Sequence, residues 1–150
     1  MIELKVWGNT RNSINNLSRD TKIIYSGLIN EVIAKLIDED ICLDTLEVLA
    51  NDICRQHERL KNIPEEIVHF AVRDVFMMMK FSIRKKFYTQ KLHGAGRFIR
   101  FERLERQTKH DRIYIPNVGN VMLKGGYVPE IYKKVIINKR QNNKWEVEFK

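Results

Sequence analysis

Two hydrophobic periods run through this chain, and the change between them at His93-Gly94-Ala95-Gly96 constrains the fold more than any other feature. Before that point, apolar residues recur every three or four positions, as in helices that bury one face. Ile24, Leu28, Ile29, Val32, Ile33, Leu36 and Ile37 predict a helix over residues 19–37, with Ser18 as its N-cap. Residues 8–13, Gly-Asn-Thr-Arg-Asn-Ser, read as a break. Gly27 inside the helix weakens it or permits close packing against a neighbour. Leu46, Leu49, Ala50, Ile53 and Cys54 predict a second helix over 45–60, with Asp44 and Glu47 in the spacing of a capping box. Pro64-Glu65-Glu66 is a helix start, and the stripe Val68, Val72, Val75, Phe76, Met79, Ile83, Phe87 carries a third helix to about residue 87.

After residue 96 the period falls to two. Short runs at 97–104, 112–115, 120–124, 131–138 and 144–149 are separated by Pro116-Asn117, Gly125-Gly126 and Gln141-Asn142-Asn143. Residues 2–7 read as one more strand. The expected fold is α+β: a small antiparallel, OB-like β-barrel with a three-helix insertion after the first strand. Residues 1–7 and 96–150 would form the barrel, and residues 8–95 a helical subdomain.

A chain of 150 residues with 43 % hydrophobic content can bury a core as one domain or two small subdomains. That content excludes a disordered basic tail. No apolar run approaches the ~20 residues that span a bilayer, and the N-terminus lacks the apolar stretch of a signal peptide. A cytoplasmic protein with no membrane partner is therefore expected, and Cys42 and Cys54 are expected to be reduced thiols.

Charge is distributed unevenly. Residues 1–63 hold eight Lys/Arg and ten Asp/Glu, whereas residues 64–150 hold nineteen and nine. The whole +8 surplus lies in the second part, and a concentrated positive field attracts polyanions. On the third helix, Arg73, Lys80, Arg84 and Lys91 recur at seven, four and seven residues, broadened by Lys85 and Lys86. Arg97, Arg100, Arg103, Arg106 and Lys109 follow at three-residue intervals, and Arg112 ends the stretch. Guanidinium groups bind phosphate in a planar, two-pronged geometry. Phe98 and Phe101 lie among them, either as base-stacking platforms or as core residues. RNA or single-stranded DNA is the expected partner.

Catalytic motifs are missing. His93-Gly94-Ala95-Gly96 has neither the Gly-Lys-Ser/Thr nor the third glycine of a phosphate loop. Cys54 and His57 have ligand spacing but no second pair to complete a metal site. There is no Gly-x-Ser-x-Gly. His57, His69, His93 and His110 fall in separate segments, with nothing to pair any two as a ribonuclease would need. Neither enzyme activity nor a cofactor, metal or small-molecule substrate is expected.

Several segments resemble a known family. Ile63-Pro64-Glu65-Glu66-Ile67, followed by Ala71-Val72-Arg73-Asp74-Val75-Phe76, resembles a helix of TnpB-type transposon nucleases. Arg112-Ile113-Tyr114-Ile115-Pro116-Asn117-Val118-Gly119-Asn120-Val121-Met122-Leu123-Lys124 resembles a strand pair of that family. Residues 131–139 with Lys144-Trp145-Glu146-Val147-Glu148-Phe149 resemble its closing hairpin. The similarity covers roughly residues 60–150. In TnpB proteins and type V CRISPR effectors this region is a guide-RNA-binding wedge barrel with a helical recognition insertion, followed by a RuvC nuclease. The sequence ends at Lys150, where that nuclease would begin, so no catalytic carboxylate carries over. The resemblance implies a nuclease-free RNA-binding protein, regulatory in a phage or mobile element. The alternative is a phage-encoded inhibitor that binds a host polymerase, nuclease or CRISPR effector.

Overall fold

Strand β1 (Ile2–Leu4) opens the chain, and α1 (Gly8–Lys35), α2 (Leu43–Gln56) and α3 (Glu65–Phe81) follow. Then come β2 (Phe98–Glu102), β3 (Arg112–Ile115), β4 (Gly119–Lys124), β5 (Lys134–Lys139) and β6 (Trp145–Phe149). The computed structural model describes residues 1–35, 42–81, 98–107 and 109–150. The fold is α+β, with three helices and a six-stranded antiparallel half-barrel sheet. Two compact units divide it: residues 1–18 with 97–150 form a sheet unit, and residues 19–96 a helical unit.

The sheet order is β2-β5-β6-β1-β4-β3. The first strand thus lies inside the sheet, bonded to β6 on one side and β4 on the other. Cross-strand register places Ile99, Phe101, Val135, Ile137, Val147, Leu4, Leu123, Val121 and Ile113 on one face, and all are buried. The opposite face carries Arg100, Glu148, Glu146, Glu3, Lys124, Met122 and Arg112. Glu3 faces Glu146 directly, a like-charge pair that is unfavourable by itself. Lys144 lies 3.8 Å from Glu3, and Arg140 donates to Glu146, which is only 7 % exposed. Those two cations offset the repulsion, and Glu146 pushes the Arg140 guanidinium's pKa further up.

Helix α1 corrects the expected start. It begins at Gly8, and Ser18 is an interior residue, not an N-cap. Its asparagines and serines are poor helix formers, each costing up to about 0.7 kcal/mol relative to Ala. Against that, Ile14, Leu17, Thr21, Ile24, Tyr25 and Leu28 recur at helical spacing and are all buried. Burial of each large side chain contributes about 1.5–3 kcal/mol, which outweighs the propensity cost. Gly8 starts the helix at φ +57°, a conformation that glycine adopts without strain.

In α2 the N-cap is Cys42, not Asp44; its Sγ lies 3.1 Å from Thr45 Oγ1. Asp44 falls in the first turn, where its carboxylate meets the positive end of the helix dipole. The helix stops at Gln56, short of the expected residue 60, and a 3-10 turn (Glu58–Leu60) takes the last residues. Pro64 opens α3 as expected, its carbonyl accepting from Ile67 and Val68. The expected extension of α3 to 87 lies outside the described residues.

The core of the helical unit joins Ile24, Tyr25, Leu28, Ile29 and Val32 to Leu46, Ala50, Ile53, Leu60, Ala71, Val72 and Val75. Within it Tyr25 donates to Asp74 at 2.8 Å. A Cβ on Gly27 would come 2.8 Å from Ile53 Cδ1, so this glycine permits α1 and α2 to approach closely. Replacing Gly27→Val should cost about 1–3 kcal/mol by overpacking. Adding Ile53→Ala should destabilise less than the sum of the two single changes; strict additivity in urea denaturation would refute the contact. Burial raises the Asp20 carboxyl pKa, which Arg59 and Arg19 pull partly back. A raised carboxyl stabilises the fold while protonated and loses that contribution as pH rises through its folded value. Asp20→Asn should therefore gain stability relative to the native protein as pH rises above the ordinary carboxyl range, and a pH-independent difference would contradict this.

Candidate nucleic-acid interface

The positive charge belongs to one unit. The sheet unit holds fifteen Lys/Arg and seven Asp/Glu, whereas the helical unit holds twelve of each. Of the residues picked out by sequence, Arg100, Arg103, Arg106, Lys109 and Arg112 are described in the sheet unit, and Arg73 and Lys80 lie on α3 in the helical unit. Arg84, Lys85, Lys86, Lys91 and Arg97 lie outside the described residues. Three-residue spacing does not place Arg100, Arg103 and Arg106 on one face. Arg100 sits in extended β2, where a three-residue step changes face, and the strand ends at Glu102.

Tertiary pairing instead sorts these cations through tyrosines. The Arg103 guanidinium stacks 4.9 Å from the Tyr132 ring centroid and donates to the Glu130 carbonyl at 3.1 Å. Phe149 meets the same ring edge-on at 5.1 Å. Burial pushes the Tyr132 hydroxyl pKa up, and Arg103 moderates the rise. Arg106 stacks 4.7 Å from the Tyr114 centroid, with Nη1 3.4 Å from the hydroxyl. Arg112 and Tyr114 share the β3 face that carries Asn120 and Met122 on β4. Arg112 pairs with Asp111 through two contacts of 3.3 and 3.5 Å, and this hydrogen bonding holds the Asp111 carboxyl below its usual pKa. Stacked arginines lose less freedom on meeting a phosphate, because the planar fork is already oriented.

Gln107 positions this segment. Asp111 accepts from Leu123 on the β4 side, so the Arg112 carbonyl and Tyr114 N–H face away from β4. The Gln107 carboxamide meets both: Nε2 donates to the Arg112 carbonyl at 2.7 Å, and Oε1 accepts from Tyr114 N–H at 2.9 Å. It also donates to the Lys109 carbonyl at 2.9 Å. One side chain thus pairs the outer edge of β3, which would otherwise invite another strand.

Phe101 is 1 % exposed and faces the core, so of its two readings the core one holds and it offers no ring to a base. Tyr114, Tyr132 and Gln107 were missed by sequence reasoning. Alternation around Ile113 and Ile115 would have put Tyr114 on the open face, but its arginine partner could be found only in three dimensions. Among the histidines, His57 caps α2, His69 lies 3.1 Å from Glu65, and His110 faces the Val128 carbonyl at 3.5 Å. Cys42 and Cys54 are free thiols. Among the described residues, no helix is long and apolar enough to cross a membrane. The chain matches no protein-family model and no curated protein.

Gln107→Ala removes three hydrogen bonds at once. It should cost about 1–3 kcal/mol and accelerate amide exchange at Tyr114, read by hydrogen–deuterium exchange. Unchanged protection there would rule out the edge-pairing role.

Proposed function

We propose that this chain is an RNA-binding protein whose sheet unit grips the phosphate backbone. The observation that carries this reading is charge segregation, with the +8 surplus confined to the sheet unit and a helical unit of zero net charge. Arg103 and Arg106, oriented by their tyrosines, and Arg112 beside them in sequence are the groups assigned to phosphate. The preference for RNA over single-stranded DNA rests on the resemblance of residues 60–150 to the wedge-and-recognition region of TnpB-type proteins. A regulatory role in a phage or mobile element, through a structured RNA, follows from the same resemblance.

A protein target is the second reading. It is favoured by Tyr127 and Ile131, which are 72 % and 91 % exposed on the segment between β4 and β5. Identifying what co-purifies at moderate salt, by sequencing the nucleic acid and mass spectrometry of the protein, separates the two: one enriched structured RNA supports the first, a host protein at fixed stoichiometry the second.

Replacing Arg103, Arg106 and Arg112 together with Glu should abolish RNA binding in fluorescence anisotropy while circular dichroism stays unchanged. Both arginines are exposed, and the lost Arg–Tyr stacks are worth only about 0.5–2 kcal/mol each. In the corresponding triple alanine variant, the slope of log affinity against log salt should become shallower by roughly 2, from ~0.7 per phosphate contact on a single strand. An unchanged slope would remove these arginines from the interface.

A further inference from the structure

A recess of ≈ 210 Å³ in the sheet unit is lined by Arg11 and Asn15 of α1 and by Lys139, Asn143 and Trp145 of the β5–β6 hairpin. Its lining contains two cations, two carboxamides, an indole and no carboxylate. The hairpin's acids are engaged elsewhere: Glu146 by Arg140, and Glu148 by Lys150 at 3.6 Å. Glu3 of β1 is likewise engaged by Lys144. Among the described residues, no carboxylate pairs with Arg11 or Lys139. Net positive charge is thus left uncompensated at this one recess.

Four of the five lining residues are placed by contacts, backbone conformation or burial of their own. Arg11 donates to the Val6 carbonyl at 3.2 Å, leaving the other N–H groups of its fork for a ligand. The Lys139 ammonium rests 5.7 Å from the Trp145 ring centroid. Asn143 adopts φ 60°, a left-handed conformation that asparagine tolerates, and its N–H bonds the Arg140 carbonyl at 3.1 Å. Trp145 is buried and forms a fixed apolar wall.

We infer that this recess binds one nucleotide, its phosphate held by Arg11 and Lys139 and its base edge by the carboxamides of Asn15 and Asn143. Carboxamides pair donor and acceptor in the way base edges do. The recess is half-open, and its volume is below the ~300–1,000 Å³ of pockets that enclose drug-sized ligands, so it contacts a nucleotide along one side and leaves the rest in solvent. The site shares no residue with the Arg103–Arg106–Arg112 group. The nucleotide is either free or the phosphorylated end of a strand.

Trp145 supplies the readout. The chain has two tryptophans, and Trp7 is 65 % exposed, so Trp7→Phe leaves Trp145 as the sole indole without disturbing a core. This variant is titrated with the four nucleoside monophosphates, the matching nucleosides, inorganic phosphate and a 5′-phosphorylated trinucleotide. A saturable change in Trp145 emission is expected with at least one monophosphate. Binding should weaken at least tenfold for its nucleoside, for inorganic phosphate and in Arg11→Ala/Lys139→Ala. Tighter binding of the trinucleotide assigns the site to a strand end, and tighter binding of the monophosphate to a free nucleotide. No emission change with any probe, or equal affinity in the double variant, overturns the proposal. The two readings fail separately. Loss of RNA binding on reversing Arg103, Arg106 and Arg112 would leave nucleotide binding intact, and Arg11→Ala/Lys139→Ala would leave that arginine group in place.

Discussion

The sheet depends on three residues. Ile2, Glu3 and Leu4 form a strand with hydrogen-bonded neighbours on both sides, and among the described strands it is this one that joins β2-β5-β6 to β4-β3. Without β1 the half-barrel would separate into a three-stranded and a two-stranded piece, and a lone two-stranded hairpin is marginal in water. The insertion sets Glu3 opposite Glu146, and Lys144 and Arg140 answer that cost. Several of the basic residues in the last third of the chain therefore serve the sheet itself. A count of positive charge overstates what is left for a partner.

What remains is organised by aromatic rings. Arg103 and Arg106 each lie over a tyrosine, and Lys139 lies near a tryptophan. Such stacking contributes little to stability at an exposed site, about 0.5–1 kcal/mol, but it restricts where a cation can be. Gln107 acts at a different level, holding the segment that carries Arg106 along the edge of β3. Edge protection and cation placement thus share one loop. The helical unit balances its charges and spends its large apolar residues on its own core.

Much of this organisation was legible in the chain. The α+β class, the three helices, the position of each later strand and the start of α3 at Pro64 follow from spacing, because periodicity reports which side of an element is buried. Element ends were less legible. α1 extends ten residues before Ser18, because Ile14 and Leu17 are buried despite a local sequence that favours a turn. The Asp44 cap failed for a similar reason, since one turn of chain contains several residues able to start a helix.

By itself, then, the sequence determined the inventory: which segments are helical, which alternate, and that the excess positive charge falls late in the chain. Tertiary structure decided which of those charges are spent internally. Strand register pairs residues far apart in sequence, so Glu3 meets Glu146 and Arg11 shares a recess with Lys139. The burial of Phe101 and the half-burial of Tyr114 follow from the faces of strands whose neighbours no local pattern specifies. Periodicity is a property of adjacent residues, whereas the electrostatics of a site depend on distances set by the whole sheet.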